Sequence, residues 1–222
     1  MKPNIIAVTN SFNYSDIIPF VIDANRKFFK AWYFVTTKED EKTMEIARQN
    51  DIEILIHDFK IRPNFYDEGG GLKVGQEQAF SKYPDDWYVR IDSDICLPED
   101  FESAIDFEMD EDAVYGARRF DYLSLKEYRE GVPFFKYEAD FMIPGYFQLY
   151  KKHVLYPEGK FPLAVPGASF GDATKGVDLV FLDSFEPSKR FLLEKLVVSH
   201  LGSGRWWYGN RRVDQPDFII GE

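Results

Sequence analysis

Four short apolar runs set the strongest limit on what this chain can form: "NIIAVT" (4–9), "AWYFVT" (31–36), "IEILIHDF" (52–59) and "WYVRI" (87–91). Each is rich in β-branched and aromatic residues and nearly continuous in apolar character, as a strand covered on both faces requires. Segments of helical length separate them. "DIIPFVIDANRKFF" follows Ser15 and Asp16, which offer N-cap oxygens, and Pro19 suits an early helical position. In "KEDEKTMEIARQN", Thr37 and Asp40 are spaced as a capping box. After a break at 60–71, "LKVGQEQAFSKY" reads as a third helix. This alternation predicts an α/β fold with a mostly parallel sheet and helices on both faces.

Beyond residue 100 the pattern turns irregular. "AVYGARR" (113–119), "YFQLYKK" (146–152) and "LVVSHLG" (196–202) read as strands and "SLKEYRE" (124–130) as a short helix. Pro and Gly recur between 131 and 176, which predicts long loops framing a cleft. No internal repeat or low-complexity linker divides the chain, so residues 1–222 read as one domain with halves at 1–100 and 101–222.

Charge and cysteine usage exclude some classes. A formal net charge of −11 repels a nucleic-acid backbone, so no nucleic-acid partner is expected. Cys96 is the single cysteine, which rules out an internal disulfide and a thiolate-rich zinc site. The opening "MKPNIIAVTN" has no signal-peptide pattern, and no run approaches the ~20 apolar residues of a membrane span. A cytoplasmic protein is the expectation.

"WYVRIDSDICLP" (87–98) carries the chemistry. Asp92 and Asp94 follow a buried strand at the edge where parallel sheets bind ligands. Two carboxylates at i and i+2 can converge on a hard cation that cancels their repulsion and holds phosphate oxygens. The plain alternative is a solvated turn, whose side chains bond nearby backbone. His200, after the apolar "KLVVS", emerges as a strand-end imidazole would, and imidazole suits Mn²⁺.

The segment "DWYVRIDSDICLP" resembles the D-x-D segment of the GT-A fold glycosyltransferases, which transfer sugar from a nucleotide diphosphate. "AVTNSFNY" resembles that family's first strand and base-binding loop, and "GLKVGQEQAF" its helix bearing a donor-facing lysine. "IPGYFQLYKKHVL" is similar to the strand lining the sugar pocket, and "VVSHLGSGRWW" to the ending of the glycogenin-type branch. The resemblance runs over about residues 4–208. It implies a nucleotide-binding half (1–100), an acceptor-side half (101–222), and a nucleotide-sugar donor, UDP first. The acceptor is a carbohydrate or another hydroxyl, and the cofactor is Mn²⁺ or Mg²⁺ on Asp92, Asp94 and His200.

The remaining candidates follow from the same resemblance. Thr9 and Asn10 would meet the base, Lys73 the ribose or phosphate, and Arg205 the diphosphate, with arginine standing where that branch has lysine. Trp206 and Trp207 form an adjacent pair, and Trp207 is the one expected to face the cleft. Inverting relatives carry an acid at a helix start like "GVDLVF", which makes Asp178 the candidate base and Asp172 the runner-up. Asp178 also suits a helix cap. Leu179 departs from the Asp–Gln pair of the retaining branch, so stereochemistry stays open. The rival classes are a nucleotidyltransferase and a non-catalytic sugar-binding relative. The first usually has a Gly-rich basic loop where this chain has "TNSFNYSD".

Overall fold

The computed structural model describes residues 2–62, 65–137, 143, 145–158, 161–162 and 177–201. The first half runs β1 (Ile5–Asn10), α1 (Ile18–Asn25), β2 (Ala31–Thr36), α2 (Glu41–Gln49), β3 (Glu53–Ile56), β4 (Lys60–Arg62), β5 (Phe65–Tyr66), α3 (Glu68–Lys82), β6 (Trp87–Ile91) and β7 (Ile95–Cys96). The second runs α4 (Phe101–Ala104), β8 (Val114–Tyr122), α5 (Leu125–Glu130), β9 (Phe135–Tyr137), β10 (Phe147–Tyr150), β11 (Phe161–Pro162), α6 (Val177–Leu182) and β12 (Arg190–Leu201).

One sheet passes through both halves in the order β3-β2-β1-β6-β10-β8-β12-β7, with β9 on β8. From β3 to β6 every ladder is parallel. Past β6 it becomes mixed, because β10 runs antiparallel to both β6 and β8 while β12 runs parallel to β8. A small sheet, β11-β5-β4, stands apart.

Alternation along β1 explains the layers. Ile5 and Ala7 pack with Ile18, Val21 and Ile22 of α1 and Ala47 of α2, while Ile6 and Val8 pack with Leu72 and Ala79 of α3. Phe181 and Leu182 of α6 join the α3 face. Both faces of the central strands are thus covered, which is why their sequences are apolar throughout.

The helix boundaries correct the sequence in three places. Asp40 alone caps α2, accepting from Thr43 N at 3.2 Å, so the helix starts at Glu41. Asp67 caps α3 by accepting from Gly70 N at 3.0 Å, which draws three glycines into the helix. At α1 neither Ser15 nor Asp16 is the cap; the N-cap is Ile17 with no side-chain bond. Asn25 closes α1 and ties it to the strand-end loop, donating to Ile95 O at 2.7 Å and accepting from Leu97 N at 2.8 Å.

Gly75 lets α3 lie flush on the sheet: a Cβ there would press on Val8 Cγ1 and stand 3.1 Å from Val35 Cγ2. Gly75→Ala is therefore expected to overpack this face and cost about 1–3 kcal/mol in a urea melt. A stability equal to the parent's would show that α3 can lift off freely.

Candidate active site

The turn after β6 is fixed on three sides. Asp92 N donates to Tyr146 O at 3.1 Å, Ser93 Oγ donates to Asn10 O at 2.6 Å, and Leu201 N donates to Asp94 O at 2.8 Å. The ends of β1, β6, β10 and β12 therefore meet at one edge. Ile95 pairs with His200 in the β7–β12 ladder, which places the imidazole beside the turn.

Asp94 is 5% exposed, and its Oδ2 lies 3.2 Å from His200 Nε2. The other ring nitrogen, Nδ1, donates to Asp121 Oδ1 at 2.9 Å, and Asp121 is in turn held by Arg119 Nε at 2.8 Å. Register produces this chain of contacts, since His200 and Asp121 are partners in the β8–β12 ladder. Burial alone would lower the His200 pKa. The charge of Asp94 and the hydrogen bonds to Asp121 and Asp94 outweigh it and raise the value, with Arg119 opposing.

Asp92 faces another way. Its Oδ1 lies 3.2 Å from Arg90 Nη2, and 40% of its side chain is exposed. Burial pushes its carboxyl up to about 6; Arg90 opposes, and the charges of Asp94 and Asp178 add. The Arg90 side chain is 3% exposed. It also reaches Glu68 Oε1 at 2.6 Å and Asp178 Oδ1. Glu68, in the first turn of α3, is pushed up to about 7, chiefly by burial.

The donor set suits a hard or borderline divalent cation: two carboxylates and one imidazole whose Nδ1 is already anchored by a second carboxylate. Asp94 and His200 Nε2 face each other as two ligands of one ion would. Among the described residues no three His, Cys, Asp or Glu side chains converge on one point. The reason is that Asp92 is turned toward Arg90 rather than toward its neighbour.

The other sequence candidates divide. Thr9 is a core group, because its side chain is buried and its hydroxyl accepts from Trp32 Nε1 at 2.9 Å. Asn10 stays at the edge, with Nδ2 donating to Glu68 O at 2.8 Å and Oδ1 buried without a hydrogen-bond partner among the described residues. Lys73 is engaged with Glu158 at 2.9 Å on the surface of α3. Asp178 lies in the first turn of α6, where it joins the Arg90 cluster. Asp172, Arg205, Trp206 and Trp207 lie outside the described residues.

Four participants leave little trace in the sequence: Arg90, Glu68, Arg119 and Asp121. A cation inside the apolar run "WYVRI" was the one visible signal.

No protein-family model matches the chain, and no curated protein matches it in sequence. Solved structures do match in shape. Glucosyl-3-phosphoglycerate synthase from Mycobacterium tuberculosis, in complex with Mn²⁺, uridine diphosphate and glucosyl-3-phosphoglycerate, is 14% identical with a TM-score of 0.52. That match covers 91% of this chain and 73% of the other. The same enzyme with Mn²⁺, UDP-glucose and phosphoglyceric acid gives 13% identity and the same TM-score and coverages. A structure described only as a mycobacterial protein gives 14% identity and a TM-score of 0.54, over 91% of this chain and 69% of that one.

The chain has the GT-A fold. In GT-A terms the strand-end acids of β6 stand at the carboxyl edge of the parallel half-sheet, where ligands of open α/β sheets bind. Among the described residues no helix is long and apolar enough to cross a membrane.

Asp121→Ala is expected to destabilise the protein by about 3–5 kcal/mol, because it takes a carboxylate from buried Arg119 and removes the anchor of His200. An unchanged urea midpoint would show that neither group depends on it.

Proposed function

We propose that this chain is a metal-dependent glycosyltransferase that moves a sugar from a nucleotide diphosphate, a UDP-sugar first, to an acceptor hydroxyl. The observation that carries the reading is Asp94 set against an imidazole already anchored by Asp121, at the ligand edge of a GT-A sheet. The fold match to enzymes crystallised with Mn²⁺ and UDP supports it. Asp92, Asp94 and His200 would hold Mn²⁺ or Mg²⁺. When bound, the ion supplies positive charge to the donor's diphosphate.

The protein's own groups then have distinct tasks. Asn10, whose buried Oδ1 has no hydrogen-bond partner among the described residues, is suited to a donor such as a base N–H. Asp178 stands with a partly exposed carboxylate across Arg90 from Asp92, and in this proposal it accepts the proton of the attacking hydroxyl. Arg205 and Trp207 are retained as diphosphate and sugar contacts on sequence grounds alone. The same proposal includes one catalytic domain, a cytoplasmic location and no nucleic-acid partner. Continuity of the sheet across β6 and β10 supports the single domain.

UDP-sugars are expected to raise the melting temperature only with Mn²⁺ or Mg²⁺ present. A ligand at ~100 times its dissociation constant adds about 2.7 kcal/mol, well within reach of a thermal-shift assay. EDTA should remove the shift, and Asp94→Ala should lose it while still folding. A shift that survives EDTA would overturn the metal site.

Asp178→Asn is expected to leave donor binding nearly unchanged and to slow transfer by about 10²–10⁴-fold, the usual contribution of a positioned base. The exchange keeps shape and removes the basic lone pair. Transfer at the parental rate at saturating donor would retire Asp178 from that role.

A further inference from the structure

Arg90 is the least expected residue of the site. It sits within β6, where its neighbours Val89 and Ile91 are fully buried, and its guanidinium is almost wholly removed from water. A lone cation in such a place is costly, so the surroundings must repay it with charge. They do so from three separate elements: Glu68 from the start of α3, Asp92 from the end of β6, and Asp178 from the start of α6. Tyr156 covers the guanidinium from one side, its ring centroid 5.8 Å from Arg90 Cζ. The Tyr156 backbone is fixed in turn, its N–H donating to Gln76 Oε1 at 2.6 Å.

The chain also makes room for this cluster. A Cβ on Gly145 would collide with the Asp178 carboxylate and with Arg90 Nη1. Gly145 immediately precedes Tyr146, whose carbonyl receives the Asp92 N–H. The backbone that grips the acidic turn is therefore the same backbone that leaves space for the Arg90–Asp178 pair.

We propose that Arg90 is a positioning residue for the transfer step, holding Asp178 and Asp92 at a fixed separation across the donor site. This rests on the glycosyltransferase reading. Arg90 is buried beneath both carboxylates and acts through them. Its planar fork presents several N–H groups in fixed directions, so one side chain can serve three acceptors at once. Lysine has the charge without the fork. A base misplaced by about 1 Å can lose about 10²-fold in rate, so geometry alone gives Arg90 a kinetic signature.

The experiment measures UDP release from UDP-glucose and a panel of other UDP-sugars with Mn²⁺, for the parent, Arg90→Lys, Asp178→Asn and the double variant. In the background reaction, water attacks the anomeric carbon and the bond to the diphosphate oxygen breaks. The water's proton passes to Asp178, and UDP leaves. Arg90→Lys is expected to lower kcat about 10²-fold with the donor KM within a few-fold of the parent's. The double variant should be little slower than Asp178→Asn alone, since the base that Arg90 positions is already gone and only Asp92 is left to it.

Parental kcat in Arg90→Lys, or losses that multiply in the double variant, would overturn the proposal and leave the glycosyltransferase reading standing. A parent that neither binds nor hydrolyses any UDP-sugar overturns both. If Arg90→Lys fails to fold, Gly145→Ala disturbs the same pair from outside. It is expected to lower kcat in the parent and not in the Asp178→Asn background, and parental kcat there would count against the proposal equally.

Discussion

Charge removed from water has to be met by opposite charge, and this edge of the sheet is organised by that demand. Glu68, Asp92, Asp94, Asp121 and Asp178 bring five carboxylates close together in a chain that is already strongly acidic. Arg90, Arg119 and His200 divide them into two groups, one under β6 and one between β8 and β12. Burying an ion without a partner costs several kcal/mol, so each cation determines where its acids can stand. The two aspartates of the turn belong to different groups for this reason. Asp92 leans to the guanidinium and Asp94 to the imidazole.

This division bears on how the proposed site would handle a divalent ion. Asp94 and His200 are held by groups behind them, whereas Asp92 is partly exposed and shares Arg90 with two other acids. In the proposed metal site two ligands would thus be prepared, and the third would exchange between a guanidinium and the ion. Rigid ligands lower the entropic cost of binding, and an exchangeable one would keep the ion accessible to phosphate oxygens.

Much of the scaffold was legible because its signals are local. Continuous apolar runs gave β1, β2 and β6 almost to the residue, since a strand covered on both faces has no other composition available. The start of α3 was hidden because three consecutive glycines read as a loop, and only the Asp67 cap brings them into a helix. The length of β12 was hidden as well. Exposed Glu194 and Lys195 sit where its register shifts against β8, and they break the apolar pattern.

The site was legible only where a single strand end delivers it. Asp92, Asp94 and His200 follow apolar runs, so their place could be read from sequence. Asp121 could not, because its value depends on register with a residue 79 positions away. Thr9 and Asn10 show the same limit at shorter range. Adjacent residues on a strand point to opposite faces, and Thr9 shares the face of Ile5 and Ala7, where Trp32 lies.

The strand order also has a consequence for synthesis. β6 pairs with β1 on one side and with β10 on the other, yet β10 is made long after β6. At ribosomal rates of ~5–20 residues per second, the first half-sheet waits some seconds with an open, apolar strand as its border. Such a border is a template for pairing with another chain. Protection by chaperones would matter most in that interval, and overexpression losses in this protein should trace to Trp87–Ile91 rather than to its acidic surface.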